Sequence, residues 1–387
     1  MINPTNGEYF MKKIITVAAL LIIMITTQAA AEITGWWGII SFRERQEVED
    51  EYYSDVRTAK FGELKDTESN TMTRVGYQFG FRINMKENIF AGLTFRSGLG
   101  GIRGDVMWQD IDNRSGLSPS IQEAYIDWTS PYTRIQMGKI PQNGNALWDL
   151  YAAHKYTDLR ADDPRDGIFN DRMAALDGAR LLAPVGPVTL RGTFNIDYAG
   201  GFFRENKDTQ SGDEYKPDKM TYLLGAEINL TEFAAPFIPE LKKIEIDGDY
   251  GFPYRASYPL KSGKDSTYAD EDLWGLNFAA EAAMLEIQFG YAYNWRDSVY
   301  TSQFWDLKTA GNFRGFKLTG RYQHQNQKHE IGIYDGHEVI REAFHLYLNK
   351  EVWNLDLQPR WIWFKTTVDD TKVTVKNRYE LTATVRF

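Results

Sequence analysis

The 387-residue chain carries 44 basic and 53 acidic side chains, a formal charge of −9, which argues against nucleic acid as a partner. Cysteine is absent, so disulfides, thiolate catalysis and cysteine-ligated metal sites are excluded. A mean hydropathy of −0.46 beside an aromatic content of 14% describes a chain that is polar on average yet rich in large rings.

Lys12 and Lys13 precede a largely apolar run from Ile14 to Ile25, and the small, polar stretch Thr26 to Ala31 follows. That order reads as a secretory signal peptide cut before Glu32. The run is about a dozen residues, short of the ~20 that a helix needs to cross hydrocarbon. Met11 is the natural first residue of such a signal, which leaves residues 1–10 as an N-terminal extension. Residues 32–387 are then expected to form a single domain.

Beyond Glu32 the period of the hydrophobic pattern is two. Val75, Tyr77, Phe79, Phe81, Ile83 and Met85 alternate with Gly76, Gln78, Gly80, Arg82 and Asn84. The same alternation recurs at 188–198 and at 222–230. Segments of about ten residues with one apolar face fit tilted strands that cross a membrane. They predict sixteen strands, with 14 and 18 as alternatives, over 35–45, 71–85, 89–97, 120–130, 132–139, 174–184, 188–199, 219–231, 242–251, 272–283, 285–295, 313–323, 328–334, 340–349, 352–366 and 373–387. The fold expected is an all-β, antiparallel transmembrane β-barrel. A soluble β-sandwich is the competitor, but its strands are shorter, about five or six residues.

Tight turns are predicted at Lys86-Glu87-Asn88, Ser130-Pro131, Val185-Gly186-Pro187, Met284 and Lys350-Glu351. Long polar connections are predicted at 46–70, 98–119, 140–173, 200–218, 252–271 and 296–312, with an irregular turn at 232–241. Short turns on one side and long loops on the other suit a barrel with periplasmic turns and extracellular loops. An even strand count places both termini in the periplasm.

The chain ends on an alternating strand with Tyr379, Leu381, Ala383, Val385 and Phe387 on one face. This end resembles the targeting signal of Gram-negative outer-membrane barrels, whose terminal aromatic residue is read by the barrel-assembly machinery. The middle of the chain resembles the general, non-specific porins: Glu123 to Trp128, a turn, Arg134 to Lys139, a long insertion, then Leu176-Asp177-Gly178-Ala179-Arg180-Leu181, similar to the "DGARL"-like return of that family. The local pattern covers about sixty residues. The resemblance implies a sixteen-stranded homotrimeric pore set in outer-membrane lipid and lipopolysaccharide, with its third loop folded into the lumen. By strand count, that loop is 140–173.

Charged positions then become candidate pore residues. The third loop holds Asp149, Asp158, Asp162, Asp163 and Asp166. Lumen-facing strand positions carry Arg82, Arg96, Arg134, Arg180 and Arg191, with Arg360 and Arg378 near the closing seam. Opposed signs across a constriction would set up a transverse field that favours small polar solutes. A second stripe is acidic: Glu227, Glu245, Asp247, Asp249, Glu281 and Glu286 predict weak cation selectivity. These features imply passive diffusion of small hydrophilic solutes and ions, with a sugar- or anion-selective channel as the first alternative and a β-barrel outer-membrane enzyme as the second. Trp274, Trp295 and Trp305 suit either an interfacial girdle or a sugar slide. No catalytic residue, cofactor or metal site is predicted: the chain has no G-x-S-x-G or H-E-x-x-H motif, and Pro164 and Met173 break the calcium-loop spacing that Asp162 begins.

Overall fold

The computed structural model describes residues 32–97, 106–107, 119–141, 175–197, 219–251, 256–258, 267–269, 271–296, 300–329 and 336–387. The expected signal peptide and Asp149, Asp158, Asp162, Asp163 and Asp166 lie outside these residues, as does the question of whether the third loop enters the lumen.

Sixteen antiparallel strands form one closed barrel. They are β1 (Glu32–Tyr52), β2 (Leu64–Lys86), β3 (Ile89–Ser97), β4 (Pro119–Thr129), β5 (Arg134–Pro141), β6 (Ala175–Val185), β7 (Val188–Asp197), β8 (Lys219–Asn229), β9 (Leu241–Gly251), β10 (Glu271–Ala282), β11 (Leu285–Arg296), β12 (Tyr300–Phe313), β13 (Phe316–His329), β14 (Glu338–Val352), β15 (Leu355–Val368) and β16 (Thr371–Arg386). Each barrel strand pairs with its neighbours in sequence, and β16 returns to β1 from Ile39↔Arg386 to Glu51↔Thr374. Midway along β2, Arg74 and Val75 pair with a two-residue strand, Val106–Met107. A small separate hairpin joins Ala256–Tyr258 to Thr267–Ala269.

Closure ends on Phe387. Its backbone exchanges two hydrogen bonds with Gly38, at 2.8 and 3.0 Å. A Cβ added at Gly38 would stand 2.4 Å from the Phe387 ring, so glycine lets the terminal ring lie flat on the seam. Trp36 lies beside it, at 6.2 Å between centroids.

The connections at the end that holds both termini are short. Residues in the left-handed region make the turns: Asn88 (φ 68°), Ala283 (52°), Arg314 (50°) and Trp353 (57°), as two-residue hairpins require. The irregular turn after β8 contains one helical turn, α1 (Thr231–Ala234). At the opposite, loop end, Asp369 (φ 46°) and Asp370 (φ 66°) make a two-residue turn between β15 and β16.

The expected strand count agrees with the structure, but several assignments do not: the long connection expected at 46–70 narrows to 53–63, because β1 continues to Tyr52 and β2 begins at Leu64. Residues 300–313, expected as part of a long loop, form β12. There Phe304 faces the lumen and is 1% exposed, while Thr301 and Gln303 face outward, so apolar residues lie on both faces and the contrast of period two disappears. Residues 328 and 329 of the strand expected at 328–334 form the end of β13 and do not start a new strand, and 330–335 lie outside the described residues. The turn expected at Lys350-Glu351 falls at Trp353-Asn354, because β14 continues to Val352.

Register sorts the side chains. Tyr379, Leu381, Val385 and Phe387 face outward, as do Ile40, Phe42, Leu181, Leu224, Ile287 and Leu318, all of them exposed. An apolar band of this extent is stable against hydrocarbon and unstable against water. The intervening positions face the lumen and are mostly polar, with a few buried apolar side chains such as Phe304 and Ile362 among them. If the glycine at the seam is what admits the terminal ring, Gly38→Val should lower the temperature at which the folded barrel converts to the unfolded band in detergent gels by several degrees. An unchanged midpoint would remove Phe387 from the closure.

Candidate functional site

The lumen wall is the place where charge is concentrated, and its two signs are sorted by strand. Glu227 on β8, Glu245, Asp247 and Asp249 on β9, Glu281 on β10 and Glu286 on β11 all face inward on four consecutive strands. Five of the six carry a basic neighbour. Arg191 on β7 donates from Nε and Nη2 to Asp249, at 3.0 and 2.8 Å, and also to Asp247. Glu245 meets Lys243 at 2.6 Å, Glu281 meets Lys242 at 2.9 Å, and Glu286 meets Lys317 at 2.6 Å. Gly225 makes room for the central pair: a Cβ there would lie 2.0 Å from Asp249 Oδ1.

The five basic wall residues expected from sequence do not act as one group. Arg134 is bound to Asp127, with Nη2 at 2.5 Å from Oδ2. Arg180 donates to the Pro141 carbonyl at 3.2 Å, and Arg82 stacks over the Phe90 ring at 4.4 Å. Arg191 serves the acidic stripe. Arg96 stands in β3 opposite Gln78, and its side chain lies outside the described set.

A larger basic row runs along β13 to β16 and across the seam to β1: Arg321, Arg341, Arg360, Arg378, Arg43 and Arg45, each 8% exposed or less. Of these, Arg360 and Arg378 are the two expected from the sequence. The signal for Arg43 and Arg45 was present, because Ser41, Arg43, Arg45 and Glu47 alternate with Ile40 and Phe42. Glu380 on β16 sits at the centre of the row. It accepts from Arg45 Nε at 2.5 Å and lies 3.9 Å from Arg43, 3.9 Å from Arg360 and 4.0 Å from Arg378. Arg378 also binds Glu47 at 2.5 Å, and Arg321 binds Asp306 at 2.7 and 2.5 Å.

His345 is fully buried within this row. Arg360 Nη2 lies 3.0 Å from its Nδ1 and Gln323 Oε1 lies 3.2 Å from its Nε2. A guanidinium only donates, so Nδ1 accepts and Nε2 carries the proton.

Trp274, Trp295 and Trp305 fall outside the lumen. Trp274 and Trp305 are 39% and 41% exposed on the outer face, and Tyr291 bridges them at 5.0 and 4.3 Å. Trp295 shares the outward register of Tyr291 and Tyr293. A sugar slide built on these rings is therefore corrected to an outward aromatic girdle, where amphipathic rings sit between hydrocarbon and water.

Two solved structures share this architecture. Salmonella typhi OmpF, in a complex with daunomycin, superposes with a TM-score of 0.54 at 11% identity, over 91% of this chain and 97% of that one. An anion-selective porin from Comamonas acidovorans gives 0.51 at 10% identity, over 92% of this chain and 100% of that one. The fold is a porin-type barrel. No protein-family model and no curated protein matches the sequence.

Two outcomes follow from this wall. Glu380→Gln would leave clustered guanidiniums without their shared carboxylate, and breaking one side of a buried ion pair typically costs about 3–5 kcal/mol. Urea unfolding in lipid vesicles should show a loss of that order, and a loss under about 1 kcal/mol would make Glu380 a bystander. At the loop end, His337 Nδ1 lies 2.5 Å from Asp369 Oδ2, and the Glu338 amide donates to Oδ1 at 3.0 Å. The hydrogen bond to His337 holds the Asp369 carboxyl below its ordinary range. Its contribution is therefore present above a pH of about 4 and lost as pH falls through the depressed folded value. Hydrogen exchange at the Glu338 amide should lose protection in that acid window, and Asp369→Asn should remove this dependence.

Proposed function

We propose that the chain is an outer-membrane channel through which small hydrophilic solutes and ions diffuse passively, with its short turns and both termini on the periplasmic side. The observation that carries this reading is the opposite chemistry of the two barrel faces. The outer face is an apolar band with aromatic rims, which suits lipid, and the inner face is charged on strand after strand, which suits water. Barrels of sixteen strands leave an aqueous channel rather than a filled core. The resemblance of both the carboxyl end and the 123–181 region to the general porins supports the same reading, and extends it to export by the signal within 1–31, insertion by the barrel-assembly machinery, contact with lipopolysaccharide and assembly as a homotrimer. The function is transport, not catalysis.

The charged wall then acts on permeants as a field. Acidic groups on β8 to β11 face a lumen whose other side, β13 to β1, is rich in arginine. Such an arrangement orders water and admits small polar molecules while favouring neither sign strongly. The arginine row supports a second reading, an anion-selective channel. Reversal potentials under a salt gradient separate the two.

In planar bilayers the protein should conduct with weak selectivity. Asp247→Asn with Asp249→Asn leaves Arg191 without its carboxylates and should shift the reversal potential toward anions, whereas Arg360→Gln with Arg378→Gln should shift it toward cations. A wild-type potential near the anion limit would favour the second reading, and absence of conductance would overturn both.

A further inference from the structure

Valines at the mouth of a polar lumen would be expected to be wet, yet Val339, Val368 and Val373 are 0%, 0% and 4% exposed. Register places Val339 on the lumen side, opposite Gln327 on β13 and Val368 on β15. What covers them is the first loop, residues 53–63, whose Val56 and Phe61 pack on the three valines. An apolar patch that would be unfavourable in water is thereby closed by a segment that itself offers two apolar side chains.

The loop is built to hold its shape. The Tyr53 amide donates to the Glu63 carbonyl at 3.0 Å and the Gly62 amide to the Tyr53 carbonyl at 2.9 Å. Arg57 grips Asp55 with two hydrogen bonds of 2.8 Å, and the hydrogen bonds from Arg57 hold the Asp55 carboxyl down to about 2. Gly62, at φ +81°, brings the backbone against β16: a Cβ there would lie 2.4 Å from Thr371 Cγ2 and 3.9 Å from Thr371 Cβ. The strands that carry the loop are the longest in the barrel, at 21 and 23 residues. Glu51 near the tip of β1 pairs with Thr374, so the hairpin tip lies alongside the rim of β16.

We propose that loop 53–63 is a strap seated by this apolar contact over the β14 to β16 side of the mouth, where it restricts entry of bulky solutes and lifts by breaking the contact. The proposal rests on the channel reading. Lifting leaves the strand ladder intact, because the seat consists of a few side chains, and segments with few buried apolar contacts open at the lowest free energy.

The absence of cysteine makes a covalent lock possible. In the Gly62→Cys, Thr371→Cys double variant the Cβ separation falls within the 3.5–4.5 Å range of disulfides. Efflux of a monosaccharide and of a trisaccharide from proteoliposomes is measured with the lock oxidised and reduced, and again in Phe61→Ser, each variant being checked for folding by heat-modifiable migration. Oxidation should lower trisaccharide efflux by about fivefold or more while changing monosaccharide efflux by less than about twofold, because only a solute near the size of the opening feels the strap. Reductant should restore it, and Phe61→Ser should raise trisaccharide efflux above wild type. If both sugars pass and their ratio is the same in all three proteins, the strap is overturned while the channel stands. If wild type passes neither sugar, the channel reading falls and the strap with it.

Discussion

In hydrocarbon no water is available to satisfy a peptide group, and each unpaired N–H or C=O costs several kcal/mol. A sheet can therefore exist there only without edges. For this chain the requirement is met where β1 meets β16, along a ladder that runs from Ile39↔Arg386 to Glu51↔Thr374 and ends in the Gly38–Phe387 pair. The other features depend on that seam. It fixes the register of all sixteen strands, and register decides which side chains face lipid and which face the lumen. It also brings residues from the two ends of the chain into one cluster, so that Arg43 and Arg45 reach Glu380.

That cluster shows how closure and lumen chemistry are linked. Charges taken from water are tolerated when geometry supplies partners, and the seam supplies Glu380 and Glu47 to the surrounding guanidiniums. On the opposite wall Arg191 does the same for Asp247 and Asp249. The lumen is thus lined by ion pairs in which carboxylates are denser on β8 to β11 and arginines on β13 to β1.

Much of this was legible in the residues. Strict alternation at 75–85 and 188–198 specifies strands with one apolar face, and Phe387 on its alternating strand specifies the end of the barrel. Alternation also placed the acidic stripe on the lumen side. It failed at β12, where Phe304 turns inward and Gln303 outward, because a strand that rises past the apolar belt no longer needs an apolar outer face. Pairing was not legible at all. That Arg134 is held by Asp127 and Arg191 by Asp249 depends on which strands are neighbours and on a glycine at 225, information that lies in register and not in composition. Nor does sequence say that Val56 and Phe61 meet three valines more than two hundred residues away.

The central claim is that two faces of one strand meet two different solvents. Single cysteines at Ala226, Glu227, Ile228 and Asn229 on β8, in a chain that has no other thiol, report on this directly when the protein is inserted in liposomes and treated with a charged, membrane-impermeant thiol reagent. Reaction at 227 and 229 with protection at 226 and 228 is the outcome the structure requires. Equal reactivity at all four positions, or the inverse pattern, would contradict a lipid-facing outer wall around an aqueous lumen.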